Sequence, residues 1–282
     1  MMRTYYLLTK PGIIMGNLIT TAGGFAMASK GSIDLWLFFA MLLGLGPVIA
    51  SACVFNNYID RISDAKMART KNRPLATGSI APRKAIVFAL LLGCFGIATL
   101  SLFTNYLAAL IAATGFFVYV VLYSLWKSRS MHATLVGSIS GAVPPVVGYC
   151  AVSGRLDAGA LILFAILVLW QMPHFFAIAM YRLDDYAAAS IPVLPIMKGN
   201  RATKIQILLY IIAFAISTLL LIPFGYTGSA YAISAIVLSA AWLWLSVKGF
   251  TASDDRVWAR NMFRLSLVII TTLCVMISFD TV

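Results

Sequence analysis

The chain has 282 residues, 61% of them apolar, and its mean hydropathy of +0.93 describes more apolar surface than a soluble core of this size can hide. Charged residues make up only 11% and gather between apolar stretches of about 20 residues, the length that crosses a bilayer. This excludes a soluble globular domain, and the net charge of +12 has no such domain on which to present a nucleic-acid recognition element.

In chain order, spans are predicted at 11–29, 35–55, 84–103, 105–124, 132–152, 158–180, 204–223, 227–247 and 262–280. Each reads as a helix, because lipid offers no partner for open backbone groups and the segments lack the alternation of barrel strands. The expected fold is all-α, a polytopic membrane protein of about nine transmembrane helices in a single domain. A weak internal repeat divides it roughly into 1–130 and 131–282. Ala26-Met27-Ala28 resembles a signal-peptidase site, but cleavage there would leave eight spans with the basic loops outside, so the first run is read as a span.

The loop after the second span carries the first chemistry. If the helix continues past residue 55, Asn56, Asp60 and Asp64 stand at i, i+4 and i+8, on one slowly drifting face. Carboxylates one turn apart repel, so flanking cations or a divalent metal must compensate. Mg²⁺ suits the position, since it takes one or two carboxylates together with phosphate oxygens and waters. The alternative is a charged, solvated helix end. Arg61, Arg69, Lys71 and Arg73 follow in the same loop.

The third and fourth spans turn tightly at Thr104-Asn105, and Tyr123 and Lys127 leave the fourth on one face. They read either as helpers beside a leaving group or as an interfacial aromatic with a snorkelling lysine. His132 opens the fifth span, which Pro144-Pro145 breaks in mid-membrane, a break that suits a cavity wall or a helix contact. His174 lies inside the sixth span, where an imidazole is either a ligand or a packing residue hydrogen-bonded to a neighbouring helix. A second long loop follows, with Asp184, Asp185, Lys198 and Arg201. Cys53, Cys94, Cys150 and Cys274 are scattered singly and read as small apolar packing residues.

Nineteen of the 21 Lys and Arg fall on the side of the N-terminus and of the loops after spans 2, 4, 6 and 8, with Lys30 and Arg155 opposite. The positive-inside rule therefore places the N-terminus in the cytoplasm, and a bacterial inner membrane is the simplest address. The excess serves topology and anionic lipid, or it receives an anionic substrate from the cytoplasm.

Combined, the two loops describe a diphosphate site. Asn56, Asp60, Asp64, Asp184 and Asp185 are the candidate metal ligands, and Asn56, Arg61, Arg69, Lys71, Arg73, Lys127, Lys198 and Arg201 the candidates for neutralising phosphate. Such a site would stabilise a departing diphosphate and ionise an allylic C–O bond, leaving the cation to an acceptor in a dry cavity.

Asn56-x3-Asp60-x3-Asp64 with Arg69-Thr70-x2-Arg73-Pro74-Leu75 resembles the first Asp-rich motif of the UbiA-type intramembrane prenyltransferases. Within that family, Thr9-Lys10-Pro11-Gly12, Met131-His132-Ala133-Thr134, the stretch 170–176 and Tyr181-Arg182-x-Asp184-Asp185-Tyr186 resemble the haem-farnesylating branch. The resemblance runs through nearly the whole chain. It implies a nine-helix bundle that transfers farnesyl from farnesyl diphosphate to a vinyl group of haem B with Mg²⁺. On the reading of the residues themselves, Asp60, Asp64, Asp184, Arg69, Lys127 and Tyr123 are the catalytic candidates, and His174 and His132 the candidate haem contacts. Membrane lipid surrounds the site, and a terminal oxidase or haem-modifying enzymes are the expected protein contacts. The chain departs from the family's second motif, of DxxxD form, in having Ala189 four residues after Asp185. Two rivals remain: a relative that prenylates a quinone precursor or other aromatic ring, and a secondary transporter for an anion, whose charges belong nearer the midplane.

Overall fold

The computed structural model describes residues 2–282. Its helices are α1 (Met2–Leu8), α2 (Pro11–Ser29), α3 (Leu35–Asp64), α4 (Pro82–Phe103) and α5 (Tyr106–Phe117), the last running through a π-helical turn (Val118–Tyr123) into α6 (Ser124–Trp126). There follow α7 (Ala133–Gly141), α8 (Val143–Ser153), α9 (Ala158–Tyr181), α10 (Leu183–Ala188), α11 (Leu194–Leu219), α12 (Ser229–Lys248) and α13 (Asp255–Phe279). Counting α5–α6, α7–α8 and α12 with its 3-10 extension as single spans, nine helical spans among the described residues are long and apolar enough to cross a membrane. Large apolar side chains such as Trp36, Leu102, Phe103 and Trp244 lie outward, as a lipid-facing surface requires.

Side-chain oxygens set several helix starts. Asp34, Asn105, Asp157 and Asp254 each accept a backbone N–H from the first turn of the helix they precede, a contact worth about 1 kcal/mol. Asp280, past the end of α13, does the same for another helix by accepting the Tyr231 N–H at 2.7 Å. The break in the fifth span falls where the proline pair demands it, between α7 and α8 at Ala142.

α2 meets α8 with backbones in contact. A Cβ on Gly24 would stand 2.1 Å from the Pro145 carbonyl oxygen, and one on Gly148 would stand 2.1 Å from that of Thr21. Small residues at this crossing permit the approach on which helix association in lipid depends. α3 packs along α4, while α11 and α13 flank α9, so the site-bearing helices α3 and α9 stand inside the bundle.

The spans differ from expectation at their ends. α3 does continue to Asp64, but the seventh span begins at Leu194 rather than residue 204, with a kink at Gly199 (φ +79°). The ninth begins at Asp255 rather than residue 262. Hydropathy reports immersion, whereas these helices project past the hydrocarbon into a polar rim. There Lys204 pairs with Asp255 at 2.5 Å and Asn200 donates to the same carboxylate at 2.7 Å. α1 and α10 also went unanticipated; both are short and lie outside the apolar spans.

Candidate active site

The last three turns of α3 carry Asn56, Asp60 and Asp64 in a row, 3%, 4% and 1% exposed. Three polar side chains so deeply placed need partners, and each receives a cation from a different segment. The Lys10 ammonium donates to Asn56 Oδ1 at 2.6 Å, Lys127 Nζ pairs with Asp60 at 2.5 Å, and Arg73 Nη1 pairs with Asp64 at 2.8 Å. Asn56 Nδ2 donates onward to Ser124 Oγ at 3.3 Å, and Thr70 Oγ1 donates to the Asp64 carbonyl at 2.9 Å. This rail joins the start of α2, the end of α3, the loop after it and the end of α6.

Lys10, in the sequence only one residue of the Thr9-Lys10-Pro11-Gly12 stretch, is brought by the fold onto this rail. Its backbone is left-handed (φ 53°, ψ 66°), a conformation rare for a side-chain-bearing residue and one that functional sites retain. Burial pushes its ammonium down to about 8; Arg73 and Lys127 push the same way, while Cys53 and Asp60 oppose. A residue before proline ordinarily adopts extended backbone, so the left-handed Lys10 before Pro11, which starts α2, runs against its local preference and left no signal in the sequence.

Tyr123 ends the π-helical turn and stacks on Tyr119, with ring centroids 5.4 Å apart. The turn resets the phase of the fourth span, as such turns do at functional sites. On α10, after the second loop's aspartates, burial pushes the Tyr186 phenol up, with Tyr123 adding to the effect and Arg69 and Lys127 opposing it. Arg69 is exposed.

Other expected members stand elsewhere. Arg61 folds back on its own helix, donating to the Tyr58 carbonyl at 2.6 Å with its guanidinium 4.4 Å from the Tyr58 ring. Lys71, Lys198 and Arg201 are exposed, and no ion pair among the described residues joins them to an aspartate. Asp184 is exposed and pairs with Arg256 of α13 at 2.8 Å; Asp185 is half-buried. The pair with Arg256 directs Asp184 toward α13. Hence the four aspartates do not assemble as one cage: among the described residues no three His, Cys, Asp or Glu side chains converge at metal-ligand range. Mutual repulsion accounts for this, each carboxylate of the pairs above being matched to a cation instead. The donors along the rail are nonetheless all oxygen, the chemistry of a hard cation brought in on phosphate.

His174 is 9% exposed, packed against Trp170 (4.8 Å between centroids) and Phe263 (4.9 Å), with Nδ1 bonded to Ser266 Oγ at 2.7 Å. That is the geometry of a packing histidine, and Nε2 is the only nitrogen left for a ligand. His132 is exposed before α7.

The UbiA prenyltransferase family matches residues 17–268. The chain is 55% identical over its full length to the whole of a protoheme IX farnesyltransferase from Protochlamydia amoebophila. It is 54% identical, over 99% of its length and 95% of the relative's, to one from Serratia proteamaculans. Among solved structures it superposes on a digeranylgeranylglyceryl phosphate synthase with a TM-score of 0.80, at 19% identity and 99% coverage of both chains. A UbiA homolog from Archaeoglobus fulgidus bound to GPP and Mg²⁺ matches with a TM-score of 0.68, at 16% identity, over 98% of this chain and 99% of that one. The chain belongs to the UbiA prenyltransferase family.

Proposed function

We propose that this protein transfers a farnesyl group from farnesyl diphosphate to a vinyl group of haem B, giving haem O and diphosphate. The buried rail of Asn56, Asp60 and Asp64 faced by Lys10, Lys127 and Arg73 carries the reading, within a chain 55% identical end to end to a protoheme IX farnesyltransferase.

Each member has a role. Lys10, Lys127 and Arg73 hold the diphosphate oxygens, and Arg69 and Tyr123 close the side nearest α10. Asn56, Asp60 and Asp64 would hold Mg²⁺, and Asp185, half-buried on α10 and in no ion pair among the described residues, is the carboxylate of the second loop left to join them. Bound there, Mg²⁺ offsets the negative charge that grows on the leaving group. The allylic C–O bond breaks with its electron pair departing on diphosphate. The vinyl π pair then forms the new C–C bond, and water adds to the resulting carbocation with loss of a proton. The fixed cations lower the first barrier without reorganising, because they already face the site.

The same face carries the N-terminus, and we place it in the cytoplasm of a bacterial inner membrane, where the basic loops favour it. The test is a mass spectrum of haem after incubation of detergent-purified protein with haem B, farnesyl diphosphate and Mg²⁺. A hydroxyethylfarnesyl adduct is the expected product. Unaltered haem together with prenylation of a quinone precursor would replace the acceptor.

A further inference from the structure

α9 and α13 meet at the cytoplasmic rim around one phenol, and more positive charge is gathered there than the protein neutralises. Arg182, just past α9, has its guanidinium 5.2 Å from the centroid of the Tyr181 ring, and Arg260 of α13 reaches the same ring at 6.0 Å. Both arginines are exposed. Arg264 stands one turn further along α13 on the same face, entering the apolar part of the span.

Of the acidic groups nearby, Asp185 is half-buried and in no ion pair with these arginines, and the others are engaged. Arg256 takes Asp184, Lys204 and Asn200 take Asp255, and Asp254 accepts the N–H groups of Arg256 and Val257. No ion pair among the described residues reaches Arg182 or Arg260. Two like charges brought to one ring are unfavourable unless an anion joins them. Snorkelling to lipid headgroups would draw the guanidiniums outward, away from an aromatic face between two helices. Below them Tyr181 packs on Phe263, ring centroids 5.7 Å apart, and both rings are half-buried, giving an aromatic floor.

We infer that Arg182 and Arg260, standing on Tyr181, which packs on Phe263, form the subsite that receives the acceptor's carboxylates. The ligand is a planar, apolar macrocycle with two carboxylates on one edge: the ring lies against the aromatic floor while the guanidiniums pair with its edge. The inference rests on the farnesyltransferase reading and deepens it. It also supplies a physical basis for choosing a tetrapyrrole over a quinone precursor, since most of the discrimination would come from paired charges at a partly desolvated rim.

The experiment compares haem B with its dimethyl ester, in which both carboxylates are masked. Binding is followed by Soret titration, which needs no turnover, using wild type, Arg260→Gln, Arg182→Gln/Arg260→Gln and, as a control cation at the same rim, Lys248→Gln. Each is measured in neutral detergent and in nanodiscs containing phosphatidylglycerol. The expected result is a rise of about tenfold or more in Kd for haem B in the double variant. The diester's affinity, the KM for farnesyl diphosphate and the Lys248→Gln control should change less than about twofold, and Arg260→Lys should recover part of the loss. Equal losses for haem and diester would overturn the inference, as would an effect confined to phosphatidylglycerol discs, which would give the cations to lipid. Failure of wild type to modify haem would count against the farnesyltransferase reading alone, because ester discrimination in binding stands or falls separately.

Discussion

At the scale of single residues the site is a set of matched charges, and its members differ in what their loss should cost. Lys10 grips Asn56 from a strained backbone and faces the rail with its ammonium. Lys10→Ala is therefore expected to raise the KM for farnesyl diphosphate about tenfold or more, the loss of one charge-assisted contact, with haem affinity unchanged. Steady-state kinetics with each substrate varied in turn checks it. His174 makes the opposite case. Its bond to Ser266 and its aromatic packing predict that His174→Ala loses stability, on the order of 1–3 kcal/mol, as does Ser266→Ala to a smaller degree. Thermal unfolding in detergent measures both. A Soret shift in His174→Ala without loss of stability would instead make the imidazole an iron ligand.

At the scale of elements, the crossing of α2 and α8 is set by Gly24 and Gly148. Gly148→Ala would drive a methyl into the Thr21 carbonyl, so α2 must move, and Lys10 sits at its start. The expected cost is about 1–3 kcal/mol, with a rise in the KM for farnesyl diphosphate that a mutation at the lipid surface would not produce. The helical rail from Asn56 to Asp64 was legible in the sequence because its spacing of four is local. Its partners were not all so legible. Lys10 lies 46 residues from Asn56 and Ser124 lies 68 away, distances over which no periodicity speaks. The π turn at 118–123 also escaped, since an added residue per turn leaves no compositional mark. Asp184 was grouped with Asp60 by likeness of loops, but the register of a six-residue helix turns it toward Arg256.

At the scale of the whole molecule, nine candidate spans among the described residues, an odd number, predict that α1 and the end of α13 lie on opposite faces, with the rail's polar end on the side of α1. Reporter fusions should find the N-terminus cytoplasmic and the C-terminus outside; a cytoplasmic C-terminus would overturn the orientation. On the proposed function, the apolar spans and the inward polar rail suit an amphiphile whose tail lies in lipid while its diphosphate reaches the rim. The most direct measurement is Mg²⁺-dependent diphosphate release by wild type and Asp60→Asn in the presence of haem B, with haem binding read in parallel from the Soret band. The account predicts that release in Asp60→Asn falls by roughly a hundredfold to a thousandfold while haem affinity holds, because an electrostatic contact to the leaving group is lost at a partner of Lys127. Release near the wild-type rate would contradict it and would separate the rail from the chemistry.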